Sequence, residues 1–186
     1  MVSLKPILLL SSINVRRPFF WDNTMAELKY KNKTYYKVDE ICSVMAQEGV
    51  LYERWPTHDT SSSSDGEILR IYQQEIEKIS QLKGYRSADL VCLTLKTPKL
   101  DEIIEKFRRE HHHLEDEVRF TVEGEGFFVI KGEDGEFLEF KSEASDLIVI
   151  PAKKRHYFTL TPKQHIRTIR LFKNNLGWEA LYSEKP

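Results

Sequence analysis

The feature that most restricts how this chain can fold is the rhythm of its second half. Beyond residue 117 the sequence is cut into short strand-like stretches: V-R-F-T-V (118–122), G-F-F-V-I (126–130), E-F-L-E-F (136–140), D-L-I-V-I (146–150), H-I-R-T-I-R-L-F (165–172) and W-E-A-L-Y (178–182). The spacers between them, such as E-G-E-G, G-E-D-G-E and P-A-K-K, carry turn residues. Asp134-Gly135 is a hairpin signal, because both residue types tolerate the left-handed backbone that a tight turn requires. Short strands at regular intervals predict a sandwich or a barrel.

The first half mixes helices with strands. Residues 38–49 predict a short helix closed by Gly49, and 50–55 a strand. The polar loop S-S-S-S-D-G (61–66) can cap a following helix, which places Ile68, Tyr72, Ile76, Ile79 and Leu82 on one face and stops at Gly84. A strand over 89–95 and a helix over 100–109, after Pro98, complete the pattern. The expected class is therefore mainly β, with a few helices towards the N-terminus.

At 186 residues the chain can bury one proper core but not two large ones. Its 28 basic and 29 acidic side chains leave a net charge of −1, which offers no basic footprint for a nucleic acid. No apolar run approaches the ~18 residues of a membrane span. Cys42 and Cys92 form neither a CxxC pair nor a zinc spacing, so free thiols in a reducing, cytoplasmic setting are expected. Residues 1–24 contain P-I-L-L-L-S-S-I after Lys5, faintly like a signal peptide. The apolar part is short, however, and Arg16, Arg17 and aromatics stand where a small-residue cleavage site should be. These residues are expected to be an extension ahead of a domain that starts at Met25.

The chemistry concentrates in R-E-H-H-H-L-E-D-E-V-R-F-T-V-E-G-E-G (109–126). On a strand, His111 and His113 share a face about 6–7 Å apart and can converge on one ion, with His112 turned away. On a helix they diverge, and His113 with Glu117 becomes the facing pair. A histidine run among acids is also compatible with an ordinary solvated surface. Downstream, Pro151 precedes His156 by five positions, at the end of D-L-I-V-I. Two histidines and a carboxylate from one segment, joined by a third histidine from another, match a mixed nitrogen and oxygen site for a divalent first-row metal with open coordination positions. The absence of cysteine argues against structural zinc.

H-x-H-x-x-x-E-x6-G followed by P-x4-H resembles the two signature motifs of the cupin superfamily. The fuller text, E-H-H-H-L-E-D-E-V-R-F-T-V-E-G-E-G-F-F, D-L-I-V-I-P-A-K-K-R-H-Y-F and I-R-L-F-K-N-N-L-G-W, resembles the acireductone dioxygenase family of methionine salvage. So do G-V-L-Y-E-R-W and K-G-Y-R-S-A-D-L-V, and the likeness covers roughly residues 26–182. It implies a cupin-type double-stranded β-helix, a jelly-roll barrel, as a single domain over 25–186. It implies one Fe(II) or Ni(II) per chain, held by His111, His113, Glu117 and His156. The implied substrates are O2 and the small enediol 1,2-dihydroxy-5-(methylthio)pent-1-en-3-one, and the implied assembly is a monomer. Iron is expected to give the 2-oxo acid precursor of methionine and formate; nickel is expected to give 3-(methylthio)propanoate, formate and carbon monoxide. A metal-binding cupin without catalysis, or with another reaction, is the alternative.

Arg119, two residues past Glu117, is expected on the same strand face, where a guanidinium would stabilise an anionic substrate; a surface ion pair with Glu115 or Asp116 is the plainer alternative. Arg170 sits in an apolar strand and requires a partner, either a site carboxylate or the substrate. Phe158 is expected to wall the pocket or to be an ordinary core aromatic, and Trp178 to be core. The resemblance links Glu110 and Asp116 to metal incorporation and to relaying conformational change, though each alone reads as a solvated acid. Three departures from the cupin pattern, Ser145, Lys153 and Leu160, fall at positions that shape turns and the barrel rim.

Overall fold

A computed structural model describes residues 26–174 and 179–182. The expected extension, residues 1–24, and Trp178 lie outside them. Among the described residues, eleven strands and four helices form an antiparallel β-barrel with helices packed outside it. In chain order the elements are β1 (Glu27–Tyr30), β2 (Lys33–Tyr35), α1 (Val38–Gln47), β3 (Leu51–Arg54), α2 (Asp65–Ile71), α3 (Gln73–Lys83), β4 (Ser87–Leu93) and α4 (Leu100–Arg108). Then come β5 (His111–His112), β6 (Glu117–Lys131), β7 (Phe137–Glu143), β8 (Asp146–Ile150), β9 (His156–Leu160), β10 (Ile166–Phe172) and β11 (Leu181–Tyr182). This is the expected mainly β, double-stranded β-helix architecture.

One strand organises the barrel. The sequence predicts two strands separated by E-G-E-G, whereas β6 runs unbroken for fifteen residues. Its first half pairs with β8 and β10, and its second half with β7 and β9. The change of partners coincides with a register shift opposite Arg167 and Thr168. Just beyond the unpaired Val122, opposite Ile166, Gly124 adopts φ +78°, and a Cβ would lie 2.1 Å from the His165 carbonyl oxygen. Glycine is therefore required beside the bulge, where the strand bends from one sheet into the other, not for a turn that ends it.

Alternation along β6 sorts the side chains. Val118, Phe120 and Val122 join Leu147, Val149, Ile169 and Leu171 in a cluster closed by Ile68 of α2, Ile79 of α3 and Tyr72 between the two helices. Glu117, Arg119 and Thr121 take the opposite face. A second cluster gathers Leu28, Phe128, Ile130, Leu138, Phe140, Ile148 and Ile150 with Ile41 and Met45 of α1. A third places Ile104 of α4 against Leu93 and Ile166, with Phe107 and Phe158 at its edge.

Some elements differ from expectation. The helix expected over 67–84 breaks at Tyr72 (φ −94°, ψ 14°). Of the expected apolar face, Ile68, Tyr72 and Ile79 are buried, while Leu82, in the last turn of α3, is 75% exposed. Its start is capped as anticipated, with Glu67 accepting the Ser64 N–H at 2.8 Å. β1, β2 and β9 are additional strands, and within the described part of the last expected strand, residues 179–182, only Leu181–Tyr182 is strand. Ser145 (φ +87°) and Lys153 (φ +66°), two of the three departures from the cupin pattern, both occupy the left-handed region that favours glycine. The Ser145 hydroxyl donates to the Trp55 carbonyl and the Lys153 N–H to the His113 carbonyl, which offsets part of the conformational cost.

Candidate metal centre

Three neighbouring strands deliver four side chains to one point. His111 lies on β5 opposite His156, the first residue of β9; β9 pairs in turn with β6, whose first residue is Glu117. His113 follows β5 in the bend leading to β6. One potential ligand atom from each of the four lies within 4.8 Å of all the others. The histidine ring centroids stand 4.7 to 5.3 Å apart, and all four residues are buried. Both geometries weighed from the sequence leave a trace: His111 and His113 converge, and His113 also reaches Glu117, through a bend instead of a helix. His112 is half-buried and lies outside the group.

The rings are oriented from behind. His111 Nδ1 lies 2.7 Å from the Arg109 carbonyl, His113 Nδ1 2.7 Å from the Glu179 carbonyl, and His156 Nδ1 2.9 Å from the Lys154 carbonyl. A carbonyl oxygen can only accept, so each Nδ1 donates a proton and each ring turns its Nε2 inward. Glu117 Oε2 then lies 2.9 Å from His113 Nε2 and 2.8 Å from His156 Nε2. Contacts this short are satisfied by a proton on Nε2 or by a cation held between the atoms. Three imidazole nitrogens and one carboxylate oxygen gathered at one buried point are a donor set that would suit a divalent first-row metal. Carbonyl-anchored imidazoles are also the usual backing of metal-bound histidine. The residues therefore fit a divalent ion.

Charge is tuned around the same point. Burial would raise the Glu117 carboxyl, but Arg119 and His156 outweigh it and hold the group well below the usual carboxylate range. Burial pushes the His111 ring down, which favours the neutral, ligating form. His156 is also opposed by burial, yet Glu117 raises it. Arg119 Nε donates to Glu117 Oε1 at 2.8 Å. One carboxylate oxygen is thus engaged by arginine while the other faces the ion position.

The remaining candidates separate by location. Arg119, with Glu117 as a carboxylate partner, lines a cavity with Val91, Leu93, Phe107, Phe128, Phe158, Ile166 and Thr168. Phe158 packs on Phe128 at 5.0 Å, and Gly126 makes room for it: a Cβ there would meet the Phe158 ring at 2.5 Å. Arg170 stands beside Arg119 in register across β10 and β6, and forms a two-point ion pair with Asp89 of β4, Nε to Oδ1 being 2.7 Å. Glu110 forms an ion pair with Arg155, so the residues preceding His111 and His156 clasp β5 to β9. Asp116 accepts the Ala152 N–H at 3.1 Å and the Tyr85 hydroxyl at 3.2 Å, and fastens the loop after β8 to the start of β6. Neither acid belongs to the four-residue cluster. The cavity walls from β4 and α4 and the Glu179 carbonyl had no sequence signal, since apolar wall residues look like core and a backbone oxygen carries no side-chain identity.

A buried site of three histidines and one glutamate in a double-stranded β-helix defines a metal-binding cupin. A family model described as the ARD/ARD' family matches residues 20–180, and the chain belongs to that family. It is 39% identical over 156 residues to an acireductone dioxygenase of Bacillus pumilus strain SAFR-032, covering 78% of this chain and 89% of that protein. It is also 39% identical over 172 residues to one of Sulfurihydrogenibium sp. strain YO3AOP1, covering 86% and 96%. Among solved structures it is similar to an acireductone dioxygenase from Bacillus anthracis with a cadmium ion in its active centre. The TM-score is 0.78 and the identity 37%, over 85% of this chain and 98% of that one.

Proposed function

We propose that the protein is an acireductone dioxygenase that acts on 1,2-dihydroxy-5-(methylthio)pent-1-en-3-one and O2 in methionine salvage. It holds one Fe(II) or Ni(II) through His111, His113, Glu117 and His156. The observation that carries this reading is a buried, pre-oriented four-ligand cluster that shares its glutamate with an arginine lining an otherwise mostly apolar cavity. When bound, the ion supplies Lewis acidity and open positions for two substrate oxygens.

The chain's own residues supply the rest. Arg119 cannot act as a base at neutral pH; its charge beside Glu117 favours an anionic enediolate at the mouth of the cluster. Arg170, held by Asp89, stands beside Arg119 in the strand row and would take part in binding the substrate from there. Phe107, Phe158, Val91 and Leu93 offer an apolar wall to the thioether tail and keep water away from the reacting end. Glu110 and Asp116 support the site through the strand clasp and the loop anchor. Among the described residues, no helix is long and apolar enough to cross a membrane, and both cysteines are free. These features support a cytoplasmic enzyme, which we take to act as a monomer.

The test is metal analysis of the purified protein, followed by anaerobic addition of the enediol and product identification after O2 is admitted. The iron form is expected to yield 4-methylthio-2-oxobutanoate and formate, and the nickel form 3-(methylthio)propanoate, formate and carbon monoxide. No turnover by either reconstituted form would overturn the assignment.

A further inference from the structure

The three histidines are not anchored alike. His111 and His156 each lean on the carbonyl two residues earlier in the chain, Arg109 and Lys154, so each carries its own support wherever its strand goes. His113 leans on the carbonyl of Glu179, sixty-six residues away. That oxygen sits just ahead of β11, which pairs with β5 through Leu181 opposite His112 and Tyr182 opposite His111. The Tyr182 ring lies 5.8 Å from the His111 ring and under the Arg109 guanidinium at 4.2 Å, closing the same edge. β11, Leu181–Tyr182, pairs only with β5 among the described strands, so it is a lightly held element.

We propose that the segment Glu179–Tyr182 is the positioning element for His113, and through it a retaining clip for the bound ion. The Glu179 carbonyl fixes the Nδ1–H tautomer and the ring angle of His113. With β11 displaced, His113 loses both while His111 and His156 keep theirs, leaving two self-supported imidazoles and Glu117. Release of the ion is then controlled from the C-terminal side of the barrel, and one ligand is the first to let go. This inference rests on the four-ligand reading of the site.

The test uses the full chain with Leu181→Pro, which removes a strand N–H and breaks the pairing of β11 with β5, and with Tyr182→Ala, which removes the ring and keeps the backbone. Histidine 15N–1H spectra of the metal-free proteins report each Nδ1 proton directly. Leu181→Pro is expected to lose the protected Nδ1–H signal of His113 alone, with His111 and His156 unchanged. Release of Ni(II) to excess chelator is expected to be at least tenfold faster in Leu181→Pro, and only a few-fold faster in Tyr182→Ala. Unchanged Ni(II) release in Leu181→Pro, or equal loss of all three Nδ1 signals, would overturn the proposal. A wild-type protein that takes up no Ni(II) or Fe(II) would instead sink the reading of the site, while the metal-free spectra still decide whether Glu179 orients His113.

Discussion

Glu117 divides its two oxygens between two tasks: Oε2 faces His113 and His156, and Oε1 accepts from Arg119. Substitutions around it should separate metal retention from chemistry. His156→Ala removes a buried ligand and is expected to leave the protein folded by circular dichroism but nearly free of iron or nickel by elemental analysis; full occupancy would remove His156 from the ligand set. Arg119→Ala should still fill at saturating metal, with affinity weakened roughly tenfold because Glu117 loses its backing. Its turnover should fall by orders of magnitude. Arg119→Lys should recover only part, because an ammonium cannot hold the carboxylate and the substrate with one planar fork. A normal rate for Arg119→Ala at neutral pH would make the arginine purely structural. At this scale the sequence was legible wherever chemistry needs a side chain at a fixed offset: the four residues that converge are the four that the motif spacing singled out. Arg170 was legible as needing a partner, but Asp89, 81 positions away on a half-exposed edge, had no mark.

At the scale of elements, β6 bends where Gly124 lets it. Gly124→Ala forces both a left-handed alanine and a contact of 2.1 Å with the backbone of residue 165. Gly135 also has positive φ, +89°, but nothing lies within 4 Å of where its Cβ would be. Gly135→Ala is therefore expected to cost about 1–2 kcal/mol, the penalty of the conformation alone. Gly124→Ala should cost clearly more, about 3 kcal/mol or above, and also lower metal content, since the bulge sets where β6 meets β10. Urea midpoints of the two variants decide this, and equal losses would show that the close approach relaxes freely. The same glycine explains why the sequence divided β6 in two. A bulge and a tight turn call for the same residue chemistry, and only the partner strand tells them apart. β9 escaped notice for a related reason: His156–Leu160 follows a proline turn with little alternation, and its strand character comes from being gripped between β5 and β6.

At the scale of the whole molecule, Asp146 is fully buried among other polar groups. It accepts the Tyr52 hydroxyl at 2.9 Å and the Glu143 N–H at 2.8 Å, and it lies 3.3 Å from Arg54. Burial lifts its carboxyl to about 6, although these partners pull the other way. A raised carboxyl means that the folded state binds more protons than the unfolded state between about pH 4 and 6. This group's contribution therefore weakens as pH rises through that window and levels off above it, by about 3 kcal/mol at most. The difference in unfolding free energy between wild type and Asp146→Asn should shrink over that range, whatever its offset. A difference that stays flat with pH would place the carboxyl back in its ordinary range. The barrel class was visible in the spacing of short apolar runs, but this interior polar group was not, because Asp146 opens an apolar run and looks like a turn acid.

Because β6 has a strand partner on both edges over Val118–Phe120 and again over Gly126–Ile130, the amides of those two stretches have no shallow route to solvent: exposing them means parting the two sheets from each other. Their hydrogen exchange should be among the slowest in the molecule and should track global unfolding. The amides of Leu181 and Tyr182, bound to one short neighbour, should exchange through small local openings. The ion position therefore sits between a wall that moves only when the whole protein unfolds and a wall that opens many times before that happens.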